Sequence, residues 1–203
     1  MEKAIDTNSK PKLLLHICCA PDAAYAAPLM TRGYDVYCYF YNPNIHPRAE
    51  YEKRLNEMVF LANKFGLKLI TGEYDVENWL DFVSGYEDEP EGGIRCEKCE
   101  YYRFRNAAEK AVELGIENFT TVLTNSTRKN AEVINRLGTE LAKKYGLNWI
   151  ETNFKKKKGN LFSVRISRYL NLYRQNYCGC VYSLREQEVH AKAQRTKKVK
   201  SGK

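Results

Sequence analysis

The sequence predicts an α/β fold, a parallel sheet with helices on both faces and a basic extension at its C-terminal end. Two observations predict it. Short apolar or β-branched runs alternate with stretches of helical periodicity along most of the chain. The chain has 203 residues and 43% hydrophobic residues, which suits one domain with an ordinary core. Alternation of this kind implies parallel strands joined by crossover helices.

The elements follow in order. Residues 12–18 (KLLLHIC) form a short apolar run, read as a buried strand, which stops in the loop Cys18-Cys19-Ala20-Pro21. Asp22 is placed to cap a helix that runs to about Arg32 and ends before Gly33. Residues 35–41 (DVYCYFY) are β-branched and aromatic, a second strand, and residues 42–47 (NPNIHP) form a turn. The next helix carries Leu55, Met58, Val59, Ala62 and Phe65 on one face and ends at Gly66. Residues 68–71 read as a third strand, 76–84 as a short helix and 87–93 as an acidic loop. Residues 96–114 are helical, 119–123 a strand, 130–145 a helix and 148–150 a last strand. A basic, less regular segment follows. The domain is expected over 12–190, between a flexible N-terminus (1–11) and a disordered Lys-rich tail (191–203). Ligands of such sheets bind beyond the carboxyl ends of the strands, where Cys18 and Cys19 fall.

Composition narrows the function. No run of about 18 apolar residues exists, so no membrane span is expected. The polar first residues do not form a signal peptide, which points to the cytosol. There, paired cysteines lean toward metal or redox roles rather than a disulfide framework. The net charge of +8 is uneven: residues 1–154 balance to −4 and residues 155–203 to +12. A basic quarter on a slightly acidic body is the footprint of a polyanion, most simply nucleic acid.

Six of the seven cysteines form three pairs: Cys18-Cys19, Cys96-x-x-Cys99 and Cys178-x-Cys180. Close spacing lets two thiolates converge on one metal, and the fold must bring the distant pairs together. Six thiolates exceed one tetrahedral zinc; an iron–sulfur cluster takes four and leaves ligands for a second metal. Cys96 and Cys99 open an expected helix, whose N-terminus lowers a thiol pKa. Gly179 lets the backbone turn so that both neighbouring sulfurs face one site. Cys38 lies mid-strand among aromatics and reads as core.

Residues 14–21 (LLHICCAP), 41–47 (YNPNIHP), 89–99 (EPEGGIRCEKC) and 173–180 (YRQNYCGC) together resemble the epoxyqueuosine reductase family of the QueH type, over about 13–183. The resemblance implies a nucleotide-hydrolase-like Rossmann fold. It also implies reduction of the epoxide of epoxyqueuosine to an alkene at the tRNA wobble position. It implies a 4Fe–4S cluster supplying electrons and a second metal ion, expected to be iron, polarising the epoxide oxygen. Cys18-Cys19-Ala20-Pro21 stands where ATP-using relatives of the fold carry a glycine loop, so no ATP use is expected.

Carried over by position, the ligands are Cys18, Cys19, Cys96, Cys99, Cys178 and Cys180, with Asp22 as an oxygen ligand or a helix cap. One member of each pair is expected on each metal group. Lys155, Lys156, Arg165, Tyr173, Arg174 and Gln175 are candidate contacts to tRNA. His16 reads as core or support for a ligand and His46 as a loop anchor. Glu89 and Glu91 are candidates to close the site or supply a proton, and Arg95 to neutralise a reduced cluster. A zinc-stabilised RNA-binding module and a tRNA sulfur-transfer enzyme are the rival readings.

Overall fold

The computed structural model describes residues 9–201, leaving aside the side chains of Lys157 and of residues 193–201. The expectations for residues 1–8 and 202–203 lie outside the described residues. Five strands are connected by helices: β1 Lys12–Ile17, α1 Ala20–Met30, β2 Asp35–Phe40, α2 Arg48–Phe65, β3 Lys68–Thr71, α3 Val76–Phe82, α4 Ile94–Glu113, β4 Asn118–Thr121, α5 Ala131–Tyr145 and β5 Asn148–Trp149. Two further helices follow, α6 Gly159–Tyr169 and α7 Val181–Ser201.

All neighbouring strands are parallel, in the order β3-β2-β1-β4-β5. The order reverses between β1 and β4. At such a point the connections leave in opposite directions and open a crevice at the carboxyl edge of the sheet.

β1 is central, and its alternation builds both layers. Leu13, Leu15 and Ile17 pack with α1 and α2, in a cluster including Ala23, Ala27, Met58 and Leu61. Leu14 packs on the other face with Phe104, Phe119 and Ile134 from α4, β4 and α5. His16 shares that face, edge-on to Phe104 at 5.7 Å between ring centroids.

The structure moves several expected boundaries. α1 starts at Ala20, because Pro21 in its first turn has no amide to leave unpaired. Asp22 therefore lies inside the first turn, and the N-cap is Cys19, which makes no side-chain capping bond. α4 starts at Ile94, two residues before Cys96. β4 ends at Thr121, where the chain tightens into a 3-10 turn, Val122–Asn125, with the Thr121 hydroxyl accepting from the Leu123 amide at 3.2 Å. On α2 the inward stripe is Tyr51, Arg54, Met58, Leu61 and Ala62, whereas Val59 and Phe65 are exposed. The basic segment is more regular than expected. α6 packs against α1, and α7 continues to Ser201 through residues expected as a tail from 191.

Candidate metal centre and substrate cavity

Chain ends from both sides of the switch point surround one polar cavity of about 210 Å³. Cys18 and Asp22 line it after β1, and Asn42 and Asn44 after β2. After β4 come Asn125, Ser126, Thr127, Arg128 and Lys129. Asn160, Ser163, Val164 and Ser167, spaced as one face of α6, close another side. Arg174, Gln175, Tyr177 and Cys178 complete the wall.

Cys18, Cys19 and Asp22 offer three donor atoms within 4.8 Å of one another. The Cys18 thiol lies 3.7 Å from the Cys19 sulfur and 3.5 Å from Asp22 Oδ2, and the Cys19 thiol lies 3.6 Å from the same oxygen. The other carboxylate oxygen accepts from Asn125 Nδ2 at 3.1 Å, and that nitrogen also reaches Ser163 Oγ at 2.7 Å. Burial pushes the Asp22 carboxyl up; the hydrogen bonds from Asn125, Cys18 and Cys19 oppose the shift. The hydrogen bond to Cys19, burial and the adjoining carboxylate push the Cys18 thiol well above its usual range.

The other two pairs influence one another: Cys178 bears electrostatically on Cys96, Cys99 and Cys180, and Cys180 on Cys99. Cys18 and Cys19 stand beside Asp22, and Cys18 acts, with Cys99 and Cys178, on the same buried Arg103. Burial raises the thiols of Cys96, Cys99 and Cys180. The helix start expected to lower Cys96 does not prevail, although the Gly92 amide donates to its sulfur at 3.2 Å. All seven cysteines are free, and Cys38 is fully buried in β2, as expected for a core residue.

Fixed cations accompany the thiols. Arg103 is buried; its Nε donates to the Cys99 carbonyl at 3.3 Å and its Nη1 to Asn42 Oδ1 at 3.4 Å. Burial opposes its charge, but Cys99, Cys178, Glu100 and Cys18 outweigh burial and raise its pKa. Lys129 is buried against Glu100, 3.0 Å away. Desolvation again opposes the charge, and Cys178, Glu100 and Cys96 hold the ammonium well above its usual pKa. Neither cation follows from a motif. Arg103 does continue the helical spacing of Cys96 and Cys99, a polar stripe that marks it; Lys129 carries no such signal.

Arg54 was also missed by the motifs. From α2 it donates to the Cys178 carbonyl at 2.8 Å and the Tyr177 carbonyl at 3.4 Å, with Glu50 fixing its other edge at 2.7 Å. Gly179, at φ 136°, makes the turn between the two thiols, and its carbonyl accepts from the His46 amide at 2.8 Å. His46 thus anchors the last cysteine pair through its backbone, with Tyr177 donating to its carbonyl at 2.6 Å.

The remaining expected residues divide. Arg174, Gln175 and Glu91 line the cavity. Tyr173 faces α2 instead, with its hydroxyl on Glu50 and its amide on Glu57. Lys155 donates to the Lys129 carbonyl, bracing the loop that carries that lysine. Lys156 and Arg165 are exposed outside the cavity wall. Arg95 is buried and ties Glu87 and Glu89 carbonyls to Glu186 of α7, and its charge opposes, without overcoming, the rise of the Cys180 thiol caused first by burial. Among the described residues no helix is long and apolar enough to cross a membrane.

A parallel α/β domain with free thiols, a carboxylate and buried cations near its switch point belongs to the Rossmann-like class and has side chains suited to binding a metal. Within it, the chain belongs to the epoxyqueuosine reductase QueH family, whose family model matches residues 13–186. It is 43% identical over 195 residues to the epoxyqueuosine reductase QueH of Histophilus somni, covering 95% of this chain and 80% of that protein. To the Thermotoga maritima protein of the same name it is 42% identical over 190 residues, covering 90% and 96%. Among solved structures, the U34-tRNA thiolase NcsA from Methanococcus maripaludis with its 4Fe–4S cluster matches with a TM-score of 0.58 at 13% identity, over 87% of this chain and 62% of that one. A protein described as a predicted subunit of tRNA methyltransferase from Methanocaldococcus jannaschii matches with a TM-score of 0.52 at 12% identity, over 75% of this chain and 74% of that one. At such identities the structural likeness concerns the fold alone.

Proposed function

We propose that this protein reduces epoxyqueuosine at the wobble position of tRNA to queuosine, working in the cytoplasm. The observation that carries the reading is the placing of Cys18 and Cys178, one member each of two cysteine pairs, in the wall of one polar cavity, in a chain of the epoxyqueuosine reductase QueH family. The net reaction takes up two electrons and two protons, breaks both C–O bonds of the epoxide, forms a C=C bond and releases water. An external donor supplies the electrons.

The donor sets fit the groups that the family implies. Cys96, Cys99, Cys178 and Cys180 are four soft thiols with two buried cations beside them, and would hold a 4Fe–4S cluster. Cys18, Cys19 and Asp22 would hold the second ion, iron in our reading. When bound, these groups supply one-electron transfer and Lewis acidity toward an oxygen.

The chain's own residues do the rest. Asn125 fixes one Asp22 oxygen and leaves the other toward the thiols. Arg103 and Lys129 supply permanent positive charge where reduction adds negative charge, at a site buried enough for that charge to count. Arg54 and Gly179 hold the last pair in its turn. Arg174 and Gln175 meet the nucleoside at the cavity mouth. Lys155, Lys156 and Arg165, with the exposed Arg168, contact phosphates, an interaction indifferent to sequence.

The test is anaerobic purification or reconstitution, counting of iron and sulfide, and assay on epoxyqueuosine-tRNA. The expected result is a brown protein with about four sulfides and more than four irons per chain, which converts the substrate when given a reductant. A colourless protein with one zinc and no sulfide after reconstitution would overturn the reading in favour of a zinc-stabilised RNA-binding module.

A further inference from the structure

Buried polar side-chain atoms in folded proteins almost always find a hydrogen-bond partner, so those that do not call for a physical reason. Among the described residues, eleven such atoms have no partner within the protein. Five of them belong to residues lining the one cavity described above: Asn44 Oδ1, Glu91 Oε1, Arg103 Nη2, Asn125 Oδ1 and Gln175 Oε1. They come from five separate parts of the chain, so no single local distortion accounts for them.

The chemistry of the five is lopsided. Four are oxygens that only accept, three of them amide oxygens, and one is a guanidinium N–H. Asn125 and Arg103 are already fixed elsewhere, and Asn44 is buried. Asn125 uses its Nδ2 on Asp22 and Ser163, which turns its oxygen away from them. Arg103 uses Nε and Nη1 on the Cys99 carbonyl and Asn42, which leaves Nη2 free. Asn44 is 2% exposed, so it has little freedom to turn toward water. A pocket with this pattern is complementary to a compact ligand bearing several O–H and N–H groups and at least one lone-pair oxygen.

We propose that Asn44, Asn125 and Gln175, together with Arg103, are specificity-determining residues that recognise the hydroxylated amine arm of the modified base. This rests on the proposed reduction of epoxyqueuosine. The arm of that nucleoside carries a protonatable amine and two hydroxyls beside its epoxide. The amide oxygens accept from the hydroxyls and the ammonium, Glu91, whose Oε2 pairs with Arg128 at 3.7 Å, offers Oε1 as a further acceptor, and Arg103 Nη2 donates to an arm oxygen. The unmodified guanine has no arm, so it leaves the oxygens unpaired, and discrimination follows from that difference. The phosphate contacts outside the cavity give no such discrimination.

The experiment is anaerobic binding to the metal-loaded protein of two otherwise identical tRNAs, one with queuosine and one with guanine at the wobble position. Queuosine keeps the amine and both hydroxyls and does not react. The wild type is expected to prefer the queuosine tRNA. Gln175→Met, nearly the same size and without an acceptor amide, is expected to lower that preference about tenfold, with affinity for the guanine tRNA unchanged. Gln175→Glu, which keeps an oxygen there, restores most of it, and Asn44→Ala lowers it as Gln175→Met does. A wild type without preference overturns the proposal, as do Gln175→Met and Asn44→Ala proteins of normal iron content that retain the full preference. A wild type that shows the preference yet fails to reduce epoxyqueuosine-tRNA overturns the proposed reaction and supports the recognition.

Discussion

Cys38 and Cys178 share one chemistry and differ in surroundings. Cys38 is fully buried in the central part of the sheet, where desolvation pushes its thiol up to about 12. Cys178 lines the cavity and acts electrostatically on three other cysteines. Cys178→Ala is therefore expected to abolish turnover and lower the iron and sulfide content, whereas Cys38→Ala keeps both and costs about 1 kcal/mol of stability from the small cavity it leaves. Metal counts and chemical denaturation of the two variants check this. Comparable activity in Cys178→Ala would remove the basis of the cluster assignment.

His16 makes a second residue-scale prediction. Its Nε2 faces the Tyr41 carbonyl at 3.2 Å, which only accepts, so Nε2 carries the proton; Nδ1 sits 2.9 Å from the Thr121 hydroxyl. Burial, helped by the charge of Arg103, lowers its pKa to about 3. The unfolded chain binds a proton near pH 6.5, well above the folded value. The stability held by the neutral ring is thus complete above about pH 6.5 and drains away as pH falls toward 3, by up to ~1.4 kcal/mol per pH unit. His46, also lowered by burial, adds in the same direction. Between about pH 6.5 and 4.5, before carboxylates dominate, His16→Gln should flatten the fall in stability. Urea midpoints across that window measure it, and an unchanged slope would show that His16 is not the group responsible.

At the scale of elements, the site depends on how closely α6 approaches α1. Gly159 begins α6, and a Cβ there would fall 1.9 Å from the Phe154 carbonyl and 2.7 Å from Tyr25. Backbone cannot yield as a flexible side chain does, so Gly159→Ala must shift the helix that carries Asn160, Ser163, Val164 and Ser167 into the cavity wall. The expected cost is about 1–3 kcal/mol, with loss of turnover beyond what instability explains. Gly33→Ala, where a Cβ meets nothing within 4 Å, is the control and should leave both unchanged. Thermal midpoints and turnover measured on both variants decide it.

Elements also show why some of this was readable in advance and some was not. The strand at residues 12–18 was legible because its apolar run has one explanation, and the crossover helices follow from the alternation it starts. The three cysteine pairs were legible because thiols at short spacing have few uses. What holds the last pair in place was not: Arg54 reaches the Cys178 carbonyl from 124 residues away, a contact no local pattern announces. The regularity of α6 and α7 was hidden for another reason: their lysines and arginines mask the helical period that Ser163 and Ser167 mark only weakly. Lys129 was invisible because a lone lysine in a polar loop is normally solvated, and its burial rests on partners distant in sequence, Glu100 among them.

For the whole molecule, charge and shape divide the labour of binding. Both parts of the chain line the cavity, but the charge is uneven: residues 1–154 balance to −4 and residues 155–203 to +12. Lys156, Lys158, Arg165, Arg168 and Arg174 are all exposed there. Each that neutralises a phosphate releases bound counterions, so the logarithm of the tRNA affinity should fall linearly with the logarithm of salt concentration, by about 0.7–0.9 for each contact. Replacing Lys156, Arg165 and Arg168 together by Gln is expected to reduce that slope by about two and to weaken binding of queuosine and guanine tRNAs by the same factor, because phosphates carry no information about the base. The cavity variants should do the opposite, leaving the slope alone and changing only the preference. Salt titrations of both variant sets against both tRNAs measure the two effects on one scale. A slope unchanged by the triple replacement would mean that tRNA approaches over another face, and that the basic segment serves the fold through α6 packing rather than the substrate.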